Sequence, residues 1–200
     1  MKIYFGQKLR GGLVKQNSDL LTHAQKIESS LNGLNLETLE GFINYLHGLS
    51  KNGGSIFVAG NGGSAATANH FVTDLSKRND SSRLISDSFC ANNSLMTMIG
   101  NDYGYDQIFL KQLQIKASSN SIVLVLSASG NSENLIQCIN WATANNIKTA
   151  ALTGFDGGRL KTLVNYSLHV PSLIGEYALI EDCHSIICHY IATCLKNSLK

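Results

Sequence analysis

"SIFVAGNGGSAATANHFVTDL", residues 55–75, decides the fold. A short apolar run over 55–60 ends in small, turn-forming residues and passes directly into a helical pattern. Ala68, Phe71, Val72 and Leu75 then fall on one stripe. A strand that leads through glycines into a helix can hold an anion. The first N–H groups of a helix lack intrahelical partners, and the helix dipole favours negative charge there. Four residues apart on another face of the same helix stand His70 and Asp74. On its own such a pair reads as solvated surface, but its position behind the loop makes it a candidate for chemistry.

The pattern recurs along the chain. "SIVLVLSAS" (121–129) and "KTAALTG" (148–154) are apolar runs that end in small residues and precede helical patterns, while "RLIS" (83–86) and "YSLHV" (166–170) are weaker strands. Strands alternating with helices of ten to fifteen residues require crossover connections and a parallel sheet. Before them, apolar residues between Ser18 and Leu49 recur at helical spacing, broken by "NGLN" at 32–35. A final helix is predicted over about 175–198, after the lone Pro171. The expected architecture is α/β, a three-layer α/β/α sandwich around a mostly parallel five-stranded sheet. It forms a single domain over 1–200, with a helical extension (1–52) ahead of the core (53–200).

Composition narrows the function. Two hundred residues suffice for one real core, and 44% hydrophobic content is ordinary. Charged residues make up only 15%, which predicts that part of the surface is covered by another subunit. A net charge of +2 without basic clusters gives no footprint for nucleic acid. Neither a membrane span nor a secretory leader is visible, so a cytoplasmic protein is expected. The five cysteines are odd in number and form no CxxC pair, which predicts reduced, mostly buried thiols.

In open α/β sheets ligands bind beyond the carboxyl ends of the strands. "GNGGSA", "SASGNS" and "TGFDGG" all leave such ends. No G-K-[ST] follows the glycines, which excludes a nucleotide P-loop. "GNGGSA" does fit the dinucleotide fingerprint G-x-G-x-x-A, with Asp87 near the place of a ribose-binding acid. The hydroxyls of Ser127, Ser129 and Ser132 in the second loop instead suit a phosphate monoester held by neutral donors, although they could also cap the next helix. On the last helix, Ile180, Cys183, Ile187, Tyr190 and Ile191 form the expected core stripe, leaving Glu181, His184 and His189 as polar candidates. Glu181 and His184 fit an E-x-x-H metal spacing. Glu181 and His189 stand about 12 Å apart along a straight helix. Spacing therefore favours His184, while two histidines satisfied at an interface remain an equal reading.

Taken together, "GNGGSAATANHF", "IGNDYGYDQIF", "SASGNSENLI", "ALTGFDGG" and "IEDCHSIICH" resemble the sugar isomerase (SIS) fold, and within it the phosphoheptose isomerase family. The resemblance implies aldose–ketose isomerisation of sedoheptulose 7-phosphate to D-glycero-D-manno-heptose 7-phosphate through an enediol, towards bacterial lipopolysaccharide or capsule heptoses, or a paralogous reaction on a related sugar phosphate. It implies a homotetramer with active sites between subunits, one zinc ion per subunit and no nucleotide cofactor. Substrate contacts fall on Asn61, Gly62, Gly63, Ser64, Asp74, Asn101, Asp102, Ser127, Ala128, Ser129, Ser132 and Glu181. The zinc ligands fall on His70, Asp74, Glu181 and His189, and the acid/base pair on Asp74 and His189, in place of His184. Compared with the family pattern, Asp74 replaces Glu, Glu181 replaces Gln and Ala128 replaces Thr. The family also includes a non-catalytic member that binds the replication initiator DnaA, so a SIS protein that binds a sugar phosphate or a protein partner is the alternative.

Overall fold

The computed structural model describes residues 18–77 and 84–197. Helices α1 (Ser18–Leu31) and α2 (Leu36–Lys51) come first, and Asn35 caps α2 by accepting a hydrogen bond from the Thr38 amide at 2.9 Å. The core then alternates β1 (Ser55–Gly60), α3 (Gly63–Ser76), β2 (Ile85–Ser88), α4 (Asn93–Tyr103), a 3-10 turn (Tyr105–Gln107) and α5 (Leu110–Lys116). It continues with β3 (Ser121–Ser127), α6 (Glu133–Ala144), β4 (Lys148–Thr153), α7 (Leu160–Leu163), β5 (Tyr166–His169) and α8 (Tyr177–Asn197). The expected helical break at 32–35 and the three strong strands fall where the pattern puts them. Arg83 of "RLIS", residues 1–17 of the extension and residues 198–200 lie outside the described residues.

All five strands run parallel in the order β2-β1-β3-β4-β5. β3 is buried at every position and β1 at all but its first. Burial on both faces is why these strands are uninterrupted apolar runs and not alternating ones. Register fixes the site. Gly60 pairs with Leu126, and Ser127 with Thr153, so the loops after β1, β3 and β4 leave the same sheet edge side by side. The Gly154 amide donates to the Ala128 carbonyl at 3.0 Å, joining two of them directly.

Helix α3 packs on β1 and β2 and also on α8, which in turn meets α1 and α2; α6 packs on β3 and β4 with α5 and α7 beside it. Phe42, Phe71, Phe89 and Phe109 have no exposed surface. The α8 stripe differs from expectation at two places. Tyr190 is 53% exposed, and His184 takes an inward position at 1%. The buried face of α8 is therefore Leu179, Ile180, Cys183, His184, Ile187, Cys188, Ile191 and Leu195. All five cysteines are free, four of them buried. Burial pushes the Cys138 thiol up to about 12, as expected of a packing residue.

Phe71 anchors the helix that carries the site residues. Phe71→Ala is expected to cost about 3–5 kcal/mol in chemical denaturation, through lost burial and the cavity left behind.

Candidate active site

The loops after β1 and β3 enclose a cavity of about 190 Å³ lined by Asn61, Ser64, Ser127, Ala128, Ser129, Ser132, Tyr177 and Glu181. Its glycines are there for backbone reasons. Gly62 has φ +55°, which a side chain resists, and a Cβ on Gly63 would strike the Glu181 carboxyl group. The serine oxygens are partly committed. Ser127 Oγ accepts from the Gly130 amide at 3.1 Å, and Ser129 Oγ from the Asn131 amide at 3.3 Å. A hydroxyl that accepts still has its hydrogen to donate, so both can serve an anion. Ser132 stands at the N-cap of α6 without a side-chain cap bond, which leaves its hydroxyl to the cavity. The wall is thus rich in neutral donors and, among the described residues, contains no cationic side chain. Across from the serines, Glu181 lies over the N-terminus of α3, where the helix dipole favours its charge.

The second centre lies further along α3 and α8. His70 Nε2 is 2.9 Å from His189 Nε2, and Asp74 Oδ2 is 3.3 Å from the first and 3.6 Å from the second. The rings meet edge-on, with centroids 5.0 Å apart. Lys77 Nζ holds the other carboxylate oxygen, Oδ1, at 3.1 Å, so Oδ2 faces the histidines. These three donor atoms lie within 4.8 Å of one another. Two imidazole nitrogens and a carboxylate oxygen suit zinc, whose ligand distances of about 2.0–2.2 Å imply donor separations of roughly 3.3 Å in a tetrahedron. The donor set fits a divalent ion. Burial and the charge of Asp74 push the Cys188 thiol far up, so it stays protonated behind the cluster.

The structure brings His70, Asp74 and His189 together and places Glu181 elsewhere, on the loop cavity, outside this group. Asn101 and Asp102 lie exposed at the end of α4, hydrogen-bonded to each other at 2.8 Å and outside the cavity lining. Asp87 is held by Lys116 Nζ at 2.6 Å. The spacing-based preference for His184 is overturned by packing. Neither of its buried ring nitrogens has a hydrogen-bond partner, and the nearby Thr153 backbone favours the protonated form. Burial dominates, pushing it down to about 4. Sequence reasoning missed Tyr105, Asn134, Tyr177 and Lys77. Tyr105, in "GNDYGYD", and Asn134, in "SGNSENL", stood within quoted motifs, and Tyr177 within the predicted last helix.

Fold and loops define the class: the chain belongs to the SIS domain family, whose model matches residues 21–154. It is 34% identical over 181 residues to a phosphoheptose isomerase of Helicobacter pylori, covering 90% of this chain and 93% of the relative. A phosphoheptose isomerase of Aliarcobacter butzleri is 39% identical over 151 residues, covering 74% and 79%. The solved structure of a phosphoheptose isomerase from Francisella tularensis superposes with a TM-score of 0.82 at 30% identity, covering 90% of this chain and 96% of that one. Within the SIS class, the chain is a member of the phosphoheptose isomerase family.

The buried His184 gives a pH signature. Its pKa is lower folded than unfolded, so between about 6.5 and 4 the unfolded chain binds the extra proton and stability is lost as the pH falls. Against His184→Leu, the wild type is expected to lose relative unfolding free energy on acidification through that window, with a constant difference above pH 7.

Proposed function

We propose that the protein is a metal-assisted aldose–ketose isomerase acting on sedoheptulose 7-phosphate in the cytoplasm. The observation that carries this reading is the His70/Asp74/His189 cluster on the same two helices that bound a hydroxyl-rich loop cavity. The family membership and the names of the relatives support the substrate. In this reading Ser127, Ser129 and Ser132 donate to the terminal phosphate. Asp74 Oδ2 takes the proton from the carbon beside the ketose carbonyl. His189 supplies a proton to the carbonyl oxygen, giving the enediol, and the reverse transfers place hydrogen on C2 and free the C1 aldehyde. Lys77 holds the other Asp74 oxygen and thereby aims the base. A zinc ion held by His70, Asp74 and His189 would add positive charge next to the reacting oxygens when bound.

An assembly in which a neighbouring subunit completes each site fits the spacing. Within one chain Glu181 and His189 are about 12 Å apart along α8, too far for both to hold one ion. Exposed apolar residues support subunit contact as well: Leu20 and Leu21 on α1, and Leu173 and Ile174 before α8, are 62–81% exposed. A homotetramer is the proposed state. Among the described residues no helix is long and apolar enough to cross a membrane.

Incubation with sedoheptulose 7-phosphate, with and without zinc, tests the activity directly. Aldose formation is expected in the wild type, reduced about 10²–10⁴-fold in Asp74→Asn and in His189→Ala. Wild type without turnover under either condition would exclude the substrate. His70→Ala is expected to weaken zinc binding, followed by calorimetry, while phosphate-loop binding of the sugar phosphate persists. A sedimentation experiment that finds only monomers contradicts the shared site.

A further inference from the structure

Asn61 sits between two cavities, the serine-lined one and a second bordered by Tyr105, Asp106, Ser132, Glu133 and Asn134. Its amide is held on three sides. Asn134 Nδ2 donates to Asn61 Oδ1 at 2.9 Å, and Asn61 Nδ2 donates back to Asn134 Oδ1 at 3.0 Å. The Tyr105 hydroxyl donates to the same Asn61 Oδ1 at 2.9 Å. A primary amide has two lone pairs on oxygen and two N–H bonds. Both lone pairs of Asn61 are thus taken, along with one of its hydrogens. One N–H remains.

The clamps are themselves anchored. Asn134 is 3% exposed in the first turn of α6. The turn that carries Tyr105 is tied to α6 through Asp106, whose carboxylate accepts from Gln107 at 2.9 Å and from Gln137 at 3.0 Å; Gln107 and Gln137 also bond to each other. Helix α6 therefore fixes both partners of Asn61. From this we infer that Asn134 and Tyr105 are positioning residues that make Asn61 a donor-only group. Its remaining N–H serves an acceptor oxygen of the phosphorylated sugar held by Ser127, Ser129 and Ser132. A ligand hydroxyl can use this contact only through its lone pairs. The inference rests on the sugar-phosphate reading of that cavity.

A double-mutant cycle with Asn61→Ala tests it, read as the Kd of sedoheptulose 7-phosphate by calorimetry and as kcat and KM. Asn134→Ala and Tyr105→Phe are each expected to raise Kd and KM about tenfold while kcat stays within about twofold, as for lost ground-state binding. In the Asn61→Ala background neither should weaken binding further. Tyr105 is 63% exposed, so its variant tests the inference even if Asn134→Ala disturbs folding. Unchanged Kd in Tyr105→Phe, or a full loss that persists without Asn61, overturns the inference. If the wild type binds the sugar phosphate without converting it, the isomerase reading falls and the cycle still decides from Kd. A wild type that does not bind it overturns both.

Discussion

The site depends on the side-by-side packing of α3 and α8. Gly63 at the start of α3 lies under Glu181, and His70 and Asp74 lie beside His189, so the two helices run in the same direction away from the loop cavity. Phe71 and Leu75 from α3, with Ile187, Cys188 and Ile191 from α8, are buried in the same core. Neither helix carries a complete metal site alone. α3 supplies a His/Asp pair at one-turn spacing, and α8 supplies one nitrogen. Any shift of one helix by a turn, about 5.4 Å, would separate the donors.

This packing also explains why the two centres are distinct within one chain. The loop cavity belongs to the carboxyl edge of the sheet, where register aligns the ends of β1, β3 and β4. The His/Asp/His cluster belongs to the helix pair two turns further on. The first is built from neutral hydroxyls and backbone, which suits a dianion that must be released again. The second combines a carboxylate with two imidazoles, groups suited both to proton transfer and to a metal. Lys77 links charge balance to orientation by occupying the outer oxygen of Asp74.

Much of the fold was legible because burial leaves a periodic trace. β1, β3 and β4 are buried on both faces and read as apolar runs, and the break at 32–35 marks the turn between α1 and α2. The edge strands β2 and β5 were weaker signals because each is short and half exposed. His70 and Asp74 were legible from helical spacing. On α8 His189 was reached only through the family resemblance, because spacing alone cannot tell which face of a helix meets the sheet. An E-x-x-H reading treats His184 as accessible, whereas the helix is turned so that His184 faces the core near Thr153 and His189 faces α3. Asn134 was illegible for a similar reason. In sequence it is one polar residue in a helix first turn, and its role exists only because β1 brings Asn61 next to it.

The most direct measurement of the central claim is hydrogen exchange with solvent during turnover. Sedoheptulose 7-phosphate converted in deuterium oxide should give aldose carrying one deuterium at C2, seen by NMR, and Asp74→Asn should abolish that incorporation. Turnover and C2 incorporation that survive loss of Asp74 would contradict proton transfer by this cluster.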